Sequence, residues 1–291
     1  MSKALVLGGG GPVGIGWEAG LITGLGTAGV SLADASFVVG TSAGSVVGAH
    51  LSAGLDLEQL VRGSAASEGP SGTDPRTAKG LEGLMVAAAE ALAYPGPPEE
   101  ARALLGRFAL EADTPTEDEF LQLFADLDGV AWPDRFACTA VDTGSGAFAV
   151  WDRTSGVALP RGVASSCSVP GVFPPVTIHG RRWMDGGMRT GLNIDLARSH
   201  DVVVGVSVFP LGVPEGVTDP LALKLAGQTD AELDLVRAGG ARLAVVEPNQ
   251  EFLELSGFGL NLMDFSLAAQ AFEAGVRQAA EEASRVGEAW G

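Results

Sequence analysis

One serine lies in a setting that is typical of a nucleophile. Ser42 stands between Gly40 and Gly44 in the pentapeptide Gly-Thr-Ser-Ala-Gly, which follows the apolar run 37–39 and precedes a segment with helical apolar spacing. A serine on a strained strand-to-helix turn exposes its hydroxyl, and small neighbours permit that turn. The positive end of the helix dipole would also lie close to its oxygen. We therefore predict a nucleophilic Ser42, with an N-capping serine in a tight turn as the alternative.

A nucleophilic serine needs a base, and Asp185 is the best candidate in this chain. It is followed by Gly186 and Gly187, after a short strand-like run over 181–184. An aspartate on such a glycine turn could accept the serine proton directly, without a histidine. An ordinary aspartate has a pKa of about 3.9 and is a weak base, so burial or stabilisation of the oxyanion would have to compensate. An ordinary Asp-Gly turn is the alternative.

The three histidines are less suited to act as this base. An α/β-hydrolase uses a histidine that follows the serine and the acid, and His200 has that order after Asp185. Its surroundings, however, predict a helix-to-strand junction. His179 lies in a predicted turn, and His50 lies about one to two helical turns after Ser42. We predict structural roles for all three histidines.

A glycine-rich loop near residue 10 could hold a negative charge. Between a strand-like and a helical segment, Gly9 to Gly14 fit the dinucleotide-binding pattern Gly-x-Gly-x-x-Gly. That pattern also needs an acidic residue about 20 positions later, at the end of the next strand, where this chain instead has the turn around Ser42. We therefore predict no cofactor and keep a nucleotide-binding oxidoreductase as an alternative. Free amides at a helix N-terminus can hold any anion, including a transient oxyanion.

The elements that must position these loops alternate between strand and helix over the first 55 residues or so, which predicts an α/β layer with a largely parallel sheet. Helical patterns from about 56 to 130 predict a helical insertion. Further strands are predicted at 135–141 and 147–151 as a hairpin, and at 202–209 and 243–246. The segment 264–289 predicts an amphipathic helix. Its inward residues are expected to be Leu267, Ala271, Val276 and Ala280.

The composition excludes several classes of protein. With 18 basic and 36 acidic residues the net charge is −18, which argues against binding to nucleic acid or to anionic lipid. Cys138 and Cys167 make no disulfide framework, and we predict no metal site. The uncharged window 35–55 is long enough to span a bilayer, but it contains a predicted turn, so we expect a buried strand and helix. The first apolar run ends in glycines, unlike a secretory signal, and we predict a cytoplasmic protein.

Taken in order, the three glycine-marked loops resemble the patatin-like phospholipase family, whose members carry Gly-x-Gly-x-x-Gly, then Gly-x-Ser-x-Gly, then Asp-Gly-Gly or Asp-Gly-Ala. The proline-containing segment 164–176 and Asn193 are similar to that family as well. The resemblance implies an α/β fold, a three-layer α/β/α sandwich with a mostly parallel central sheet. It also implies a single domain over 1–291 with the helical insert at about 56–130. Val13 departs from the family, since many members have Arg or Lys at this position.

The same resemblance implies the roles of the site residues. Ser42 would be the nucleophile and Asp185 the base of a Ser–Asp dyad. Backbone amides would form the oxyanion hole at Gly9, Gly10 and Gly11. Neither a cofactor nor a metal is implied, so activity is expected to be independent of calcium.

The implied activity is that of a serine lipid acyl hydrolase. It would cleave carboxylic esters of phospholipids, lysophospholipids or other lipids through an acyl-Ser42 intermediate, and transient peripheral contact with a membrane is left open. A thioesterase or acyltransferase could use the same acyl-enzyme, and Val13 and the charge of −18 also leave a catalytically weak acyl-lipid binding protein open. Apolar residues of the insert are expected to be plain core, with lining or covering an acyl channel as the alternative: Leu81, Leu84, Met85, Leu92, Leu104, Leu105 and Phe108.

Overall fold

A mostly parallel sheet forms the centre of the molecule. The computed structural model describes residues 1–66, 74–212 and 220–291. The strands of these ranges are β1 (Lys3–Leu7), β2 (Phe37–Gly40), β3 (Phe136–Asp142), β4 (Phe148–Trp151), β5 (Val176–Ile178), β6 (Arg181–Asp185), β7 (Val202–Val206) and β8 (Arg242–Val246). Their order is β5-β6-β3-β2-β1-β7-β8, with β4 paired to β3 beside this path. The five neighbouring strands β3, β2, β1, β7 and β8 are parallel, whereas β4, β5 and β6 form antiparallel pairs.

Helices cover both faces of this sheet. In the described ranges they are α1 (Gly11–Thr27), α2 (Ala43–Ala53), α3 (Leu57–Ala66), α4 (Pro75–Ala93), α5 (Pro98–Glu111), α6 (Glu117–Leu121), α7 (Leu159–Ser166), α8 (Pro220–Ala238), α9 (Gln250–Leu255) and α10 (Ala268–Trp290). One core lies between the sheet and α1, α2, α7 and α10. A second core lies on the opposite face, where Val6 and Val203 pack with Leu233 and Val236 of α8. The predicted three-layer α/β/α arrangement is confirmed.

The uncharged window 35–55 contains all of β2 and α2, as expected, rather than one long helix. Within the described ranges, no helix is long and apolar enough to cross a membrane. Between β2 and β3 the described regular elements are helical throughout. The helices α3, α4, α5 and α6 lie within the range 56–130 of the predicted insertion.

The contact between α1 and α10 depends on glycines. A Cβ on Gly16 would lie 2.1 Å from the Ala268 carbonyl oxygen, and a Cβ on Gly20 would lie 2.0 Å from that of Phe272. On the other helix, a Cβ on Gly275 would lie 2.2 Å from the Trp17 carbonyl oxygen. Each interior glycine costs a helix about 1 kcal/mol relative to alanine. Here the close approach of the two backbones offsets that cost and fixes α1 in place.

Two predicted elements differ from the structure in detail. In α10, Ala271 is buried as predicted, but Ala280 is exposed and Ala279 is buried instead. The prediction for Ala280 is wrong because the helical repeat carries the buried face from Gly275 to position 279. β7 ends at Val206 rather than near 209, since the chain leaves the sheet there.

Candidate active site

Ser42 occupies the turn between β2 and α2 in a strained conformation. Its φ of 53° and ψ of −117° lie in a region that side chains other than glycine rarely adopt. The neighbouring glycines explain how the chain reaches this turn. A Cβ on Gly40 would lie 2.2 Å from the Gly44 carbonyl oxygen, and a Cβ on Gly44 would lie 2.3 Å from that of Leu7. The Ser42 hydroxyl makes no capping bond to α2, so the N-cap alternative does not describe it.

Asp185 ends β6, next to β3, and its carboxyl group faces Ser42. Asp185 is only 2% exposed to solvent. Burial raises the pKa of Asp185 to about 7, although hydrogen bonds from the Ser42 side chain and from the Gly187 amide act to lower it. The Gly187 N–H donates to Oδ1 over 2.7 Å. The Asp185 carboxyl group thus lies close enough to the Ser42 hydroxyl for that hydroxyl to affect its pKa. Burial shifts the pKa in the direction that a base needs.

The glycine-rich loop lies directly against Ser42. A Cβ on Gly9 would lie 3.4 Å from the Ser42 Cβ. The Gly9 amide already donates to the Gly191 carbonyl over 2.8 Å. Among the described residues, the amides of Gly10 and Gly11 have no such partner. Of the three predicted oxyanion donors, Gly10 and Gly11 therefore keep amides that are free to bind an oxyanion, whereas the Gly9 amide does not.

The other motif glycines have packing roles. The Gly14 amide donates to the Gly10 carbonyl over 2.8 Å and so closes the first turn of α1. A Cβ on Gly186 would lie 2.0 Å from the Thr139 hydroxyl oxygen. Gly186 therefore lets the turn after Asp185 lie against β3.

A buried polar network joins the serine turn to the aspartate turn. The Asn193 side-chain amide donates to the Thr41 hydroxyl over 3.0 Å and to the Thr190 carbonyl over 2.8 Å. The Thr41 hydroxyl also bonds to the Thr139 hydroxyl at 2.9 Å. Asn193 itself has a φ of 54° and is fully buried. The sequence indicated Asn193 through its motif, whereas Thr41 and Thr139 carried no separate signal.

An apolar cavity of about 540 Å³ adjoins Ser42. Its size lies within the range of small-molecule sites. Aromatic and aliphatic residues from separate parts of the chain supply most of its apolar wall, namely Ile15, Val46, Leu60, Phe120, Leu123, Phe124, Val169, Phe173, Met263 and Phe265. None of the seven insert residues considered for a channel contributes to it. Leu84, Leu105 and Phe108 pack with residues of β3 and β6 instead, as the expected core packing requires.

The histidines do not bond to either candidate catalytic side chain. His50 lines the cavity, where Nδ1 bonds to the Val46 carbonyl at 2.8 Å and Nε2 to the Asp126 carboxylate at 2.7 Å. His179 bonds to the Ser155 carbonyl, and His200 bonds to the carbonyl of residue 197. These contacts agree with structural roles.

Sequence reasoning missed one buried acid close to the glycine loop. Glu18 on α1 is fully buried, and neither carboxyl oxygen has a hydrogen-bond partner among the described residues. Burial raises the pKa of Glu18 well above its ordinary value. The Gly8 amide, which is already bonded to the Val206 carbonyl, lowers it only in part. Glu18 is the only charged residue in the sequence of α1, and this could have indicated an acid in a buried helix.

The family model of the patatin-like phospholipases matches residues 72–198, which confirms the resemblance predicted from the motifs. Residues 72–198 are thus similar to the patatin-like phospholipases. That region includes Asp185 and Asn193 and begins after Ser42.

Among solved structures, the chain is similar to VipD from Legionella pneumophila, with 14% identity and a TM-score of 0.43 over 97% of this chain and 67% of that one. It is also similar to the type III effector protein ExoU, with 17% identity and a TM-score of 0.35 over 96% of this chain and 53% of that one. The chain therefore spans about two thirds of VipD and about half of ExoU. No curated protein matches the chain significantly.

Proposed function

We propose that this protein is a serine lipid acyl hydrolase that cleaves carboxylic ester bonds of phospholipids, lysophospholipids or other lipid esters. The family match supports a lipid hydrolase. The observation that carries the finer proposal is the pairing of Ser42, on its strained turn, with a buried Asp185 whose pKa is raised to about 7 and is affected by the Ser42 hydroxyl. An apolar cavity beside that serine suits an acyl chain.

In the proposed first step, the Asp185 carboxylate accepts the Ser42 proton as Oγ attacks the ester carbonyl. The negative charge that develops on the carbonyl oxygen is held by the free amides of Gly10 and Gly11. Asp185 then gives the proton to the leaving alcohol as the carbon–oxygen bond breaks. One such oxyanion donor is worth about 3 kcal/mol in a comparable site.

In the second step, water attacks the acyl-Ser42 ester while Asp185 accepts one of its protons. Oγ leaves and takes the proton back, and the free fatty acid is released. A base works best when its pKa lies near the working pH. The raised pKa of Asp185 therefore lets one carboxylate serve both steps without a histidine.

Val13 bears on the proposal because many family members have a cation there. Its side chain is fully buried, and its amide donates to the Leu262 carbonyl over 3.3 Å. Packing and this backbone bond hold the start of α1 where other members place a charge. We therefore propose that the protein hydrolyses esters although it has no Arg or Lys at position 13.

The test is hydrolysis of a medium-chain p-nitrophenyl ester with EDTA present, by wild type, Ser42→Ala and Asp185→Asn. Both variants are expected to lose activity by about a thousandfold or more. Ser165→Ala and Asp142→Asn are matched controls, because both side chains are buried and hydrogen-bonded elsewhere. Variants as active as wild type would refute the dyad.

Two alternatives give different results in the same experiment. A fluorophosphonate probe that fails to label Ser42 in folded protein, together with inert wild type, would favour an acyl-lipid binding protein. Glycerol-ester and thioester substrates assayed side by side, with and without an alcohol acceptor, would separate hydrolase, thioesterase and acyltransferase.

A further inference from the structure

Three large apolar side chains near the cavity are exposed to solvent. Phe209 is 48% exposed, Phe258 69% and Leu260 84%. They belong together, since a Cβ on Gly259 would lie 3.7 Å from the Phe209 ring. We call these three residues the apolar tip. Large apolar side chains gathered at one exposed site mark an interaction surface.

The backbone holds this exposed conformation in place. Gly257, Phe258 and Gly259 follow one another with φ values of 58°, 55° and 94°, and a phenylalanine in this region is strained. The Phe258 amide donates to the Leu253 carbonyl over 2.7 Å, and the Asn261 amide donates to the Ser256 carbonyl over 2.9 Å. The Phe258 backbone is thus strained, and its ring is 69% exposed.

The apolar tip is connected to the candidate active site. Two residues after Leu260, the Leu262 carbonyl accepts the hydrogen bond from the Val13 amide at the start of α1. The next residue, Met263, lines the cavity, as does Phe265. A surface bound to the tip would therefore lie near the wall that Met263 and Phe265 give to the cavity beside Ser42.

The charge around the tip selects the kind of partner. The segment 256–276 contains no Lys or Arg, and its two charged residues are Asp264 and Glu273. The whole chain carries a net charge of −18. Such a surface gains nothing from an anionic membrane, whereas aromatic and leucine side chains insert into the interface of a membrane without net charge.

We propose that the apolar tip docks the protein on a lipid surface of zwitterionic head groups, so that the cavity beside Ser42 faces the lipid. The choice of a lipid surface rests on the proposed function. Insertion of Phe258 and Leu260 removes their apolar area from water, while the acidic remainder of the protein stays outside. Contact is reversible, because two or three side chains bury little area.

The experiment measures binding to phosphatidylcholine vesicles by flotation, with the full chain carrying Ser42→Ala so that no lipid is consumed. The double variant Phe258→Ser/Leu260→Ser is compared with Met85→Ser/Val86→Ser. Met85 and Val86 are each 62% exposed on α4 and do not line the cavity. Melting curves verify that both variants are folded.

We expect the tip variant to lose binding by about tenfold or more, the α4 variant to bind as its parent does, and added anionic phospholipid to give no gain. Equal binding by the two variants, or no binding by the parent, would overturn the inference. A dimer that dissociates in the tip variant would overturn it too, because the tip would then serve a second copy. Binding does not require turnover. Inert wild type in the ester assay would therefore refute the proposed function, while the vesicle-binding result would still test the apolar tip.

Discussion

Replacing Asp185 with asparagine separates the chemical use of this carboxyl group from its effect on folding. Asparagine can keep the hydrogen bond from the Gly187 amide, which is 2.7 Å long in the native protein, but it neither accepts a proton from Ser42 nor ionises. We expect Asp185→Asn to abolish ester hydrolysis and to stabilise the protein above neutral pH.

The magnitude follows from the raised pKa of Asp185, about 7 against about 3.9 for an ordinary aspartate, at 1.36 kcal/mol per pH unit. The unfolded chain releases the Asp185 proton near pH 4, whereas the folded chain keeps it until about pH 7. The free energy of unfolding of wild type therefore falls over this interval by about 4 kcal/mol through this one group and is level above it. The Asp185→Asn variant has no ionisable group at this position, so its free energy of unfolding does not fall in this way.

The assay is urea unfolding at pH 4 and pH 8, together with the pH profile of kcat/KM. The difference in unfolding free energy between variant and wild type should rise by about 4 kcal/mol between these two values. Wild-type kcat/KM should rise with pH through a midpoint near 7. A stability difference that stays the same at both pH values would refute the argument from burial, and a flat pH profile would refute the role of Asp185 as base.

Asp142→Asn provides a control of opposite sign. Asp142 is 2% exposed at the end of β3. Burial would raise the pKa of Asp142, but hydrogen bonds from Ser145 and the Arg181 guanidinium hold it below its ordinary value. Its carboxylate therefore stabilises the fold above the unfolded pKa and loses that effect as the pH falls. Asp142→Asn should lower stability at pH 8.

Three further predictions concern residues around the dyad. Glu18→Gln should raise the melting temperature at pH 8 but much less near pH 4, since burial raises the pKa of Glu18; an equal gain at both pH values would contradict this. Gly10→Ala should lower kcat by about a hundredfold or more, because the new Cβ would lie 2.5 Å from a Val208 methyl group, and adding Val208→Ala should restore part of the rate. Asn193→Ala should lower the free energy of unfolding in urea by about 2–4 kcal/mol, because buried polar groups lose their partners. Asn193→Gly should lower it by about 1 kcal/mol less, because glycine tolerates the positive φ of this residue. Equal losses in the two variants would refute the contribution of the backbone conformation.

The turns were the most predictable part of the molecule because their geometry requires particular residues. A strand-to-helix turn as tight as that at Ser42 leaves no room for a Cβ at Gly40 or Gly44, so the motif is visible in the sequence. The sheet was predictable for a similar reason, since strands buried on both faces read as apolar runs. The catalytic roles of Ser42 and Asp185 stay predictions until the variants are assayed.

The contacts that depend on distant segments were not predictable. Nothing near Gly9 indicates that its amide is bonded to the Gly191 carbonyl, and nothing near Val13 indicates that Leu262 supports it. The cavity wall likewise joins residues such as Phe120 and Met263, which no local pattern relates. Apolar spacing reports that a residue is buried, not what it is buried against.

The glycine contacts between α1 and α10 set an order of events during synthesis. α1 begins at the loop that holds Gly10 and Gly11, yet its partner helix starts only at Ala268. At about 5–20 residues per second, the ribosome needs on the order of ten seconds or more to make the chain between them. Until α10 emerges, the face of α1 that it covers stays open and the loop has no rigid support. A nascent chain that already contains both Ser42 and Asp185 is therefore expected to be inactive toward the membranes around the ribosome.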